Sequence, residues 1–524
     1  MKNNILKISV FIIVLLIPTA FFQSCTKDFE DINTNPKGIT NKDLETDFKL
    51  VGEQFKQVLL NIYTFKPEWK FQLQQNLIGD VYAGYMLPPT PFAGNSNNIT
   101  YNLIDGWNGF PWSIAYNEVM APLLAIEKNA GDGFKDFVAW SKICKVEAMH
   151  RVSDIYGPII YTHYGEVTDA GGIEYDCQDV VYDAFFKDLD AAVEALAPFA
   201  SKDVKPFAAF DLVYGGDYSQ WLKFANSLRL RLAMRISKVD PDRAKTEAEK
   251  AIANSFGVLE SNEDNFVVDG GNLGHPLNTI NNSWHDVRMG APMECYLKGY
   301  NDPRIDKYFV PVVDGDGYHG IRQGVAIGAK TEYENTTSSL ALFPNKAQLM
   351  TAAEVYFLRA EGALRGWNMG GSAADFYNQG IEMSFAQYGL DASTYENDGT
   401  SKPTNFVDPI GHTENNADAP TDITIAWNDG DSFDIKLERI ITQKWIAIYP
   451  DGQEAWSEFR RTGFPKLFPV VVNNSSGKIS TEDFIKRINF VTNEYATNPD
   501  EVAKAVSCLG GDDNGGTSLW WDVD

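Results

Sequence analysis

Apolar side chains recur at every third or fourth position along most of this chain. In residues 134–156 they are Phe137, Trp140, Cys144, Ala148, Val152 and Ile155. This spacing is typical of one face of a helix, which Gly157 and Pro158 should end. Residues 346–366 repeat the pattern with Leu349, Ala353, Tyr356, Ala360 and Leu364. Gly366 is placed to cap the end of that second helix.

A third apolar stripe predicts a helix that ends before Pro450, and it consists of Leu437, Ile441, Trp445 and Ile448. Asp451, with Glu454 three residues later, indicates the start of another helix. Two helices joined by so short a turn are expected to pack antiparallel. We expect Trp445 to be buried between them.

Helix pairs of this kind recur along the chain. We predict them at 43–62 with 68–87, 111–128 with 134–156, 179–197 with 219–237, and 346–366 with 372–388. Small residues where helices would cross favour a tetratricopeptide-like solenoid in a mainly α fold, although the 34-residue period is not strict. An irregular all-helical domain is the alternative.

Long polar stretches rich in Gly, Asn, Asp and Thr separate the pairs at 88–110, 257–345 and 390–431. Ordered loops of this length are usually functional. Because no linker divides the chain, we expect one domain at 41–524 with loop-rich insertions.

The N-terminus predicts a secreted and lipid-anchored protein. Lys2 and Lys7 precede an uncharged run from Ile8 to Phe22, which is too short to span a membrane and is typical of a signal peptide at 1–24. Cys25 follows Ser24 as in a lipobox and is the predicted lipidation site, with residues 25–40 as a tether. The acidic stretch 26–31 resembles the tag of lipoproteins exposed on the outer face of an outer membrane. An ordinary secretory signal is the alternative.

The charge balance excludes some partners. With 71 acidic and 45 basic residues, the formal net charge is −26. Nucleic acid and anionic lipid head groups are therefore not expected partners. We expect Arg460 and Arg461 to pair with part of the acidic excess.

Four cysteines follow Cys25, namely Cys144, Cys177, Cys295 and Cys508. They allow three connectivities, between which the sequence does not choose. Because the apolar core is large, we expect mostly free thiols.

No nucleophile elbow, zinc-binding helix motif, C-x-x-C or P-loop occurs in the sequence. None of these motifs therefore indicates an enzyme class, and we expect no cofactor. The acidic turns 314–317 and 428–431 could contact structural Ca²⁺, but neither has the Glu that completes an EF-hand loop, so we favour solvated turns.

Aromatic residues stand beside amides and charges in two of the polar stretches. The candidate ligand-binding residues are Asn98, Tyr101, Trp107, Trp284, Asp286 and Arg288. Trp and Tyr can cover the apolar face of a sugar ring, while Asn, Asp and Arg can bond its hydroxyl groups. The same residues could hold a peptide. For each aromatic residue taken alone, core packing is favoured over contact with a ligand.

Six segments in order resemble the SusD/RagB family of outer-membrane nutrient-binding lipoproteins, in its SusD-like branch. They are FEDINTNPKGIT, WLKFANSLRLRLAMRIS, MGAPMECYLKGYNDPRIDKYF, TAAEVYFLRAEGALRGW, ITQKWIAIYPDGQEAWSEFRRTGFPKL and TSLWWDVD. The resemblance extends along nearly the whole chain.

This resemblance implies tetratricopeptide-like helix pairs that support a loop-rich face. It also implies a protein without enzymatic activity that binds nutrient oligomers as a lid on a SusC-like TonB-dependent transporter. It does not assign the ligand. We expect oligosaccharides, with peptides as the alternative inside the family and a secreted glycoside hydrolase as the less favoured alternative outside it.

Overall fold

A computed structural model describes residues 47–131, 133–202 and 204–523. The predicted signal peptide, Cys25 and the tether at 25–40 lie outside the described residues. The compact unit that contains nearly all the described residues begins at Val51. Within the described ranges, no helix is both long enough and apolar enough to cross a membrane.

The fold is mainly helical, as the sequence predicts. The α-helices are α1 Lys49–Ile62, α2 Glu68–Phe71, α3 Asp105–Ile114, α4 Ala121–Ala130, α5 Lys135–Tyr156, α6 Gln178–Leu196, α7 Tyr218–Arg235, α8 Pro241–Ala253, α9 Pro276–Asn282, α10 Ala291–Gly299, α11 Ile305–Tyr308, α12 Ala352–Leu364, α13 Ala373–Gln387, α14 Phe433–Ala447, α15 Gly452–Thr462, α16 Thr492–Thr497 and α17 Pro499–Cys508. Two π-helical segments, Gln72–Asp80 and Ala115–Met120, continue α2 and α3.

Polar side chains define where many of the helices begin. The N-cap residues whose side chains accept a backbone N–H of the first turn include Asp217, Asp240, Thr351, Ser372, Ser432 and Asp451. Each satisfies a donor that has no partner inside the helix, which stabilises the helix by about 1 kcal/mol. The predicted cap at Asp451 is thereby confirmed.

Successive helices pack side by side, as expected for tetratricopeptide-like pairs. Helix α4 packs against α5, α6 against α7, and α12 against α13, in agreement with three of the predicted pairs. Helices α5 and α6 also pack together, as do α7 and α8. The pairs therefore form a continuous helical layer.

Four short strands correct two predicted helix boundaries. Strand β1 (Met86–Leu87) pairs with β3 (Arg288–Met289), and β2 (Phe266–Asp269) pairs with β4 (Lys346–Met350), both antiparallel. The predicted helices 68–87 and 346–366 each include one of these strands. In β4, Ala347 and Leu349 alternate with more exposed residues, a two-residue period that the helical pattern after Thr351 obscured.

The region 257–345 also contains more regular structure than its polar composition suggested. It holds β2, β3 and the three short helices α9, α10 and α11. These elements are short because glycines and prolines interrupt them, so no long periodic pattern marks them in the sequence.

Helices α14 and α15 do not form the antiparallel pair that the short turn predicted. Helix α15 packs mainly against the π-helical segment Gln72–Asp80, while α14 packs against α12 and α13. Two glycines explain this choice. A Cβ atom on Gly452 would lie 2.4 Å from the Cα of Asp80, and one on Gly79 would lie 2.8 Å from the Cα of Gln453. Only glycines permit this close approach.

Ion pairs are buried between the helices. Both Arg461 and Glu361 are buried, and their guanidinium and carboxylate groups lie 2.7 Å apart. Arg235 contacts Asp154, Glu454 and Glu458 in the same layer. The Nη1 atom of Arg460 donates to the carbonyl oxygen of Asp154 at 2.6 Å. The expectation of an acidic partner is therefore confirmed for Arg461, whereas Arg460 bonds the backbone.

The cysteines differ from the expectation of mostly free thiols. Cys177 and Cys508 form a disulfide bond between residues 331 positions apart in the sequence. Cys144 and Cys295 are free and buried, and burial raises the pKa of both thiols. Only the fold brings Cys177 and Cys508 together, since neither lies in a spacing that marks a pair.

Candidate functional site

The two polar stretches that carry the candidate residues meet in space. Strand β1 directly precedes residues 88–110, and strand β3 lies at the end of the segment 280–290. The two strands are paired. The Thr90 hydroxyl donates a hydrogen bond to the Asp286 carboxylate. Lys330 adds an ammonium group 2.6 Å from the same carboxylate. Asp286 therefore joins three segments at this face.

Trp284 is half-buried at the tip of its segment. Its backbone N–H donates to the carbonyl oxygen of Thr279 at 3.0 Å, and its own carbonyl oxygen accepts from Lys330. The next residue, His285, is exposed, has a φ of 56° and lies 3.3 Å from Glu334. The backbone thus fixes the position of Trp284 and leaves part of its side chain accessible.

Asn98, Tyr101 and Arg288 are buried and make contacts within the protein. The Asn98 side chain donates to Asn108 and accepts from the backbone of Ile104, both at 2.8 Å. Arg288 donates to the carbonyl oxygens of Glu334 and Val287 at 2.9 and 2.7 Å. Burial also lowers the pKa of the Arg288 guanidinium. In this structure these side chains shape the loops, and contact with a ligand stays a prediction.

Trp107 lies on helix α3, although the sequence placed it in a loop. Its ring and that of Phe92 meet edge to face, with centroids 5.8 Å apart. One helical turn further on, Phe110 meets Trp69 in the same way at 5.2 Å. Trp69 is 45% exposed, which is high for so large an apolar side chain. We call these four rings (Trp69, Phe92, Trp107 and Phe110) the aromatic strip.

The backbone along the aromatic strip is open to solvent. A Cβ atom on Gly106 would have no neighbour within 4 Å, and one on Gly109 would touch only Val491, at 4.0 Å. Between the rings of the strip, Gly106 and Gly109 therefore leave the backbone uncovered by side chains, so a flat ligand can approach it closely. Trp107 is among the residues that the sequence predicts for the site, whereas Trp69 and Phe110 are not, because their contact with each other depends on the tertiary fold.

A cleft of about 250 Å³ lies beside the start of α3. It is lined by Tyr101, Asn102, Leu103, Asp105, Asn474, Ser475, Ser476, Lys478, Ile479, Asn489, Asp513, Asn514 and Gly515. Amide, hydroxyl and charged groups dominate this lining, so we call it the polar cleft. Asp105, two residues before Trp107, links it to the aromatic strip.

The walls of the polar cleft come from distant parts of the chain. The backbone N–H of Asn474 donates to the carbonyl oxygen of Thr100 at 2.7 Å, which attaches residues 473–479 to the 88–110 loop. Asp513 accepts from the backbone N–H of Phe490 and from the Tyr495 hydroxyl. In the sequence, these walls correspond to the polar runs NNSSGK at 473–478 and DDNGG at 512–516, which resemble ordinary surface loops.

The arrangement suits a ligand that has apolar faces and a polar rim. The strip offers ring faces and edges, and the cleft offers donors and acceptors within two residues of Trp107. In the described part of the chain, no group of three or more His, Cys, Asp or Glu side chains is placed to hold a metal ion. At the predicted Ca²⁺ turn 428–431, Asp431 pairs with Arg439 at 2.8 Å and Asp429 accepts from the Trp427 indole.

Comparison with solved structures places this fold among SusD homologues. A chitin-binding SusD homologue from Flavobacterium johnsoniae is 48% identical, with a TM-score of 0.88 over 90% of this chain and 99% of that chain. A SusD homologue from Bacteroides vulgatus is 37% identical, with a TM-score of 0.86 over 91% and 99% of the two chains. One from Bacteroides uniformis is 35% identical, with a TM-score of 0.85 and the same coverage.

A comparison with curated proteins gave no match. A family model for SusD and RagB outer-membrane lipoproteins, called SusD-like, matches residues 31–522. Proteins of this family bind nutrients and are not enzymes. The long match and the close structural relatives agree, so this chain belongs to the SusD-like family of outer-membrane lipoproteins.

Proposed function

We propose that this protein captures oligosaccharides on the outer face of the outer membrane and delivers them to a SusC-like TonB-dependent transporter. The observation that carries the proposal is the aromatic strip beside the polar cleft, at the face where the 88–110 loop meets residues 473–479. The relative from Flavobacterium johnsoniae, described as chitin-binding, supports a glycan as the ligand.

The ligand class follows from the chemistry of the face. A β-linked sugar chain has flat rings that can lie against Trp107 and Trp69, while its hydroxyl groups reach the amides and hydroxyls of the polar cleft. The acetamido groups of chitin would add an amide donor and acceptor to each ring. We therefore propose chitin oligosaccharides as the first ligand to test, with Trp284 as a further stacking residue on the neighbouring loop.

Substituting Trp107 tests the proposed site. Stacking of a base on an aromatic ring is worth about 1–3 kcal/mol, and a sugar ring should behave similarly, so Trp107→Ala should weaken binding of chitohexaose about 5- to 150-fold. Trp284→Ala should act in the same direction. Calorimetric titration of a glycan panel, with a neutral peptide library alongside, gives the measurement.

Trp427→Ala provides the matched control. Trp427 is also a half-buried tryptophan, but it lies in the 390–431 region next to Tyr377 rather than in the strip. Its loss should leave glycan affinity unchanged. Equal weakening by both substitutions would contradict the site, binding of peptides alone would contradict the ligand class, and release of shortened products would indicate a hydrolase.

The anchoring proposal concerns Cys25. If its thiol carries the lipid, Cys25→Ala should move the protein from the membrane fraction to the soluble fraction, because the described residues contain no helix able to span a membrane. The test requires cells that lack the transporter, so that a bound partner cannot retain the variant. Membrane attachment of the variant in those cells would contradict the proposal.

A further inference from the structure

A second cleft, of about 860 Å³, lies outside the candidate site and shares no lining residue with the polar cleft. Its volume falls within the range of about 300–1,000 Å³ that is usual for sites enclosing small ligands. Three parts of the fold form it. They are the outer face of the β2–β4 sheet, the C-terminal end of α13, and a base of aromatic residues around Tyr449. We call it the sheet–helix cleft.

Alternation along the two strands exposes one polar face to this cleft. Val267 lies opposite Gln348, and Asp269 lies opposite Lys346, in the antiparallel register. All four residues line the cleft. Their neighbours along the strands are mainly buried core residues. The sheet therefore separates the core from a ligand-accessible surface.

The opposite wall and the base supply rings and amides. Met383, Ala386 and Gln387 lie on one side of α13, and Tyr388 follows them directly. At the base, the rings of Tyr308 and Tyr449 stack with centroids 4.5 Å apart. The half-buried Tyr388 ring meets Tyr308 edge to face at 5.4 Å. The contact with Tyr308 thus fixes the position of Tyr388, and part of the Tyr388 side chain remains accessible from the cleft.

Two residues that line the cleft each carry a buried polar atom that has no hydrogen-bond partner among the described residues. They are the hydroxyl oxygen of Tyr449 and the side-chain oxygen of Gln387. Tyr449 is only 1% exposed, and Gln387 already uses its amide nitrogen to donate to Gln348. Buried polar atoms are nearly always paired, so these two groups keep a hydrogen-bonding capacity that the hydroxyl groups of a ligand could use.

The charges along the cleft cancel, which is unusual in a chain with a net charge of −26. Lys307 and Lys346 are matched by Glu263 and Asp269, and Lys346 lies 3.7 Å from Asp269. His275 also lines the cleft, and it is neutral because burial lowers its pKa to about 3. The lining therefore has no excess of positive charge for an anion or of negative charge for a cation.

We propose that the sheet–helix cleft is a second binding site, which takes a segment of a neutral oligosaccharide. Tyr388 provides a ring face, and the amides of Gln348 and Gln387 provide donors and acceptors for hydroxyl groups. The balanced charges favour a ligand without net charge, and the amides favour a ligand with polar groups. The ligand class rests on the proposed function, whereas the cleft and its unpaired groups do not.

Blocking the cleft from an exposed position tests this inference. Ala386 is exposed on α13 and lines the cleft, so Ala386→Trp should fill it without disturbing the core. Ala374→Trp, a partly exposed position near the start of the same helix, is the matched control. The probes are trisaccharides of chitin, starch, xylan and mannan, and hydrogen exchange of the full chain reports where each one binds.

The wild-type protein should show protection at 383–388 and 346–348 with at least one trisaccharide. Ala386→Trp should abolish that protection and keep the protection near Trp107, and Ala374→Trp should keep both. Protection near Trp107 alone would overturn the second site and leave the proposed function standing. Protection at 383–388 alone would support the second site and contradict the aromatic strip and polar cleft as the place of binding. Protection at neither place would overturn both sites. Protection that persists in Ala386→Trp would also overturn the second site.

Discussion

Trp445 is expected to be one of the residues that contribute most to the stability of the helical scaffold. Its side chain is 2% exposed, which confirms that it is buried, although the rings around it are those of Tyr85 and Tyr296 and not of α15. The ring lies 5.2 Å from that of Tyr85 and 5.4 Å from that of Tyr296, and its indole N–H donates to the carbonyl oxygen of Ala83 at 2.9 Å. Trp445→Ala would therefore both empty an enclosed space and remove a hydrogen-bond donor.

The expected cost follows from these contacts. Emptying a large aromatic site costs about 3–5 kcal/mol, and leaving the Ala83 carbonyl without its donor adds about 1 kcal/mol. Trp445→Ala should thus lower the free energy of unfolding by about 4–6 kcal/mol, a large part of the roughly 5–15 kcal/mol that stabilises a typical protein. Trp445→Phe should recover most of the packing but not the hydrogen bond.

Urea denaturation followed by circular dichroism measures the change. Trp427→Ala is the control, because Trp427 is half-buried and should cost only about 1 kcal/mol. A loss of less than about 1 kcal/mol for Trp445→Ala would refute the reasoning, since it would mean that the surrounding helices collapse into the space at little cost. Equal losses for Trp445→Ala and Trp427→Ala would refute it as well.

Two further predictions concern stability. Burial raises the pKa of Asp80 to about 7, so between about pH 4 and 7 the folded protein holds a proton that the unfolded chain releases. The free energy of unfolding should therefore fall as the pH rises through this window, and Asp80→Asn should remove this part of the dependence; identical pH profiles would contradict the assignment. Replacing Cys177 and Cys508 together by Ser should lower the free energy of unfolding by about 2–5 kcal/mol, and adding a reductant to the wild type should lower it by the same amount. Equal midpoints with and without reductant would show that the bond does not contribute.

The helical scaffold could be predicted from sequence because its signals are local. The apolar stripe of 134–156 and the stop at Gly157 correspond to α5, which ends at Tyr156. The strand β4 was missed because its five residues are too few for a two-residue period to stand out beside a long helix. The packing partner of α15 was missed because it depends on Gly79, which lies more than 300 residues earlier in the chain.

The candidate site was only partly predictable for a related reason. The sequence shows that Trp107 and Arg288 have side chains able to contact a sugar, but it does not show which of them faces solvent. Trp107 is half-buried beside Phe92, whereas Arg288 is buried and bonded to backbone carbonyl oxygens. The walls of the polar cleft come from segments near residues 100, 475 and 514, and only the fold brings these together.

The buried side chains at this face would also reduce the entropic cost of binding at a site built from loops. The side chain of Asn98, in the 88–110 loop, donates a hydrogen bond to Asn108, which lies on α3. Thr90 in the same loop donates one to Asp286 in the segment 280–290. Fixing loops before the ligand arrives reduces the ordering that binding must otherwise impose. Loss of Asn98 should therefore weaken binding through disorder of the loop, whereas loss of Trp107 should weaken it through the lost contact. The two causes differ in hydrogen exchange of the free protein, which only the loss of Asn98 should accelerate.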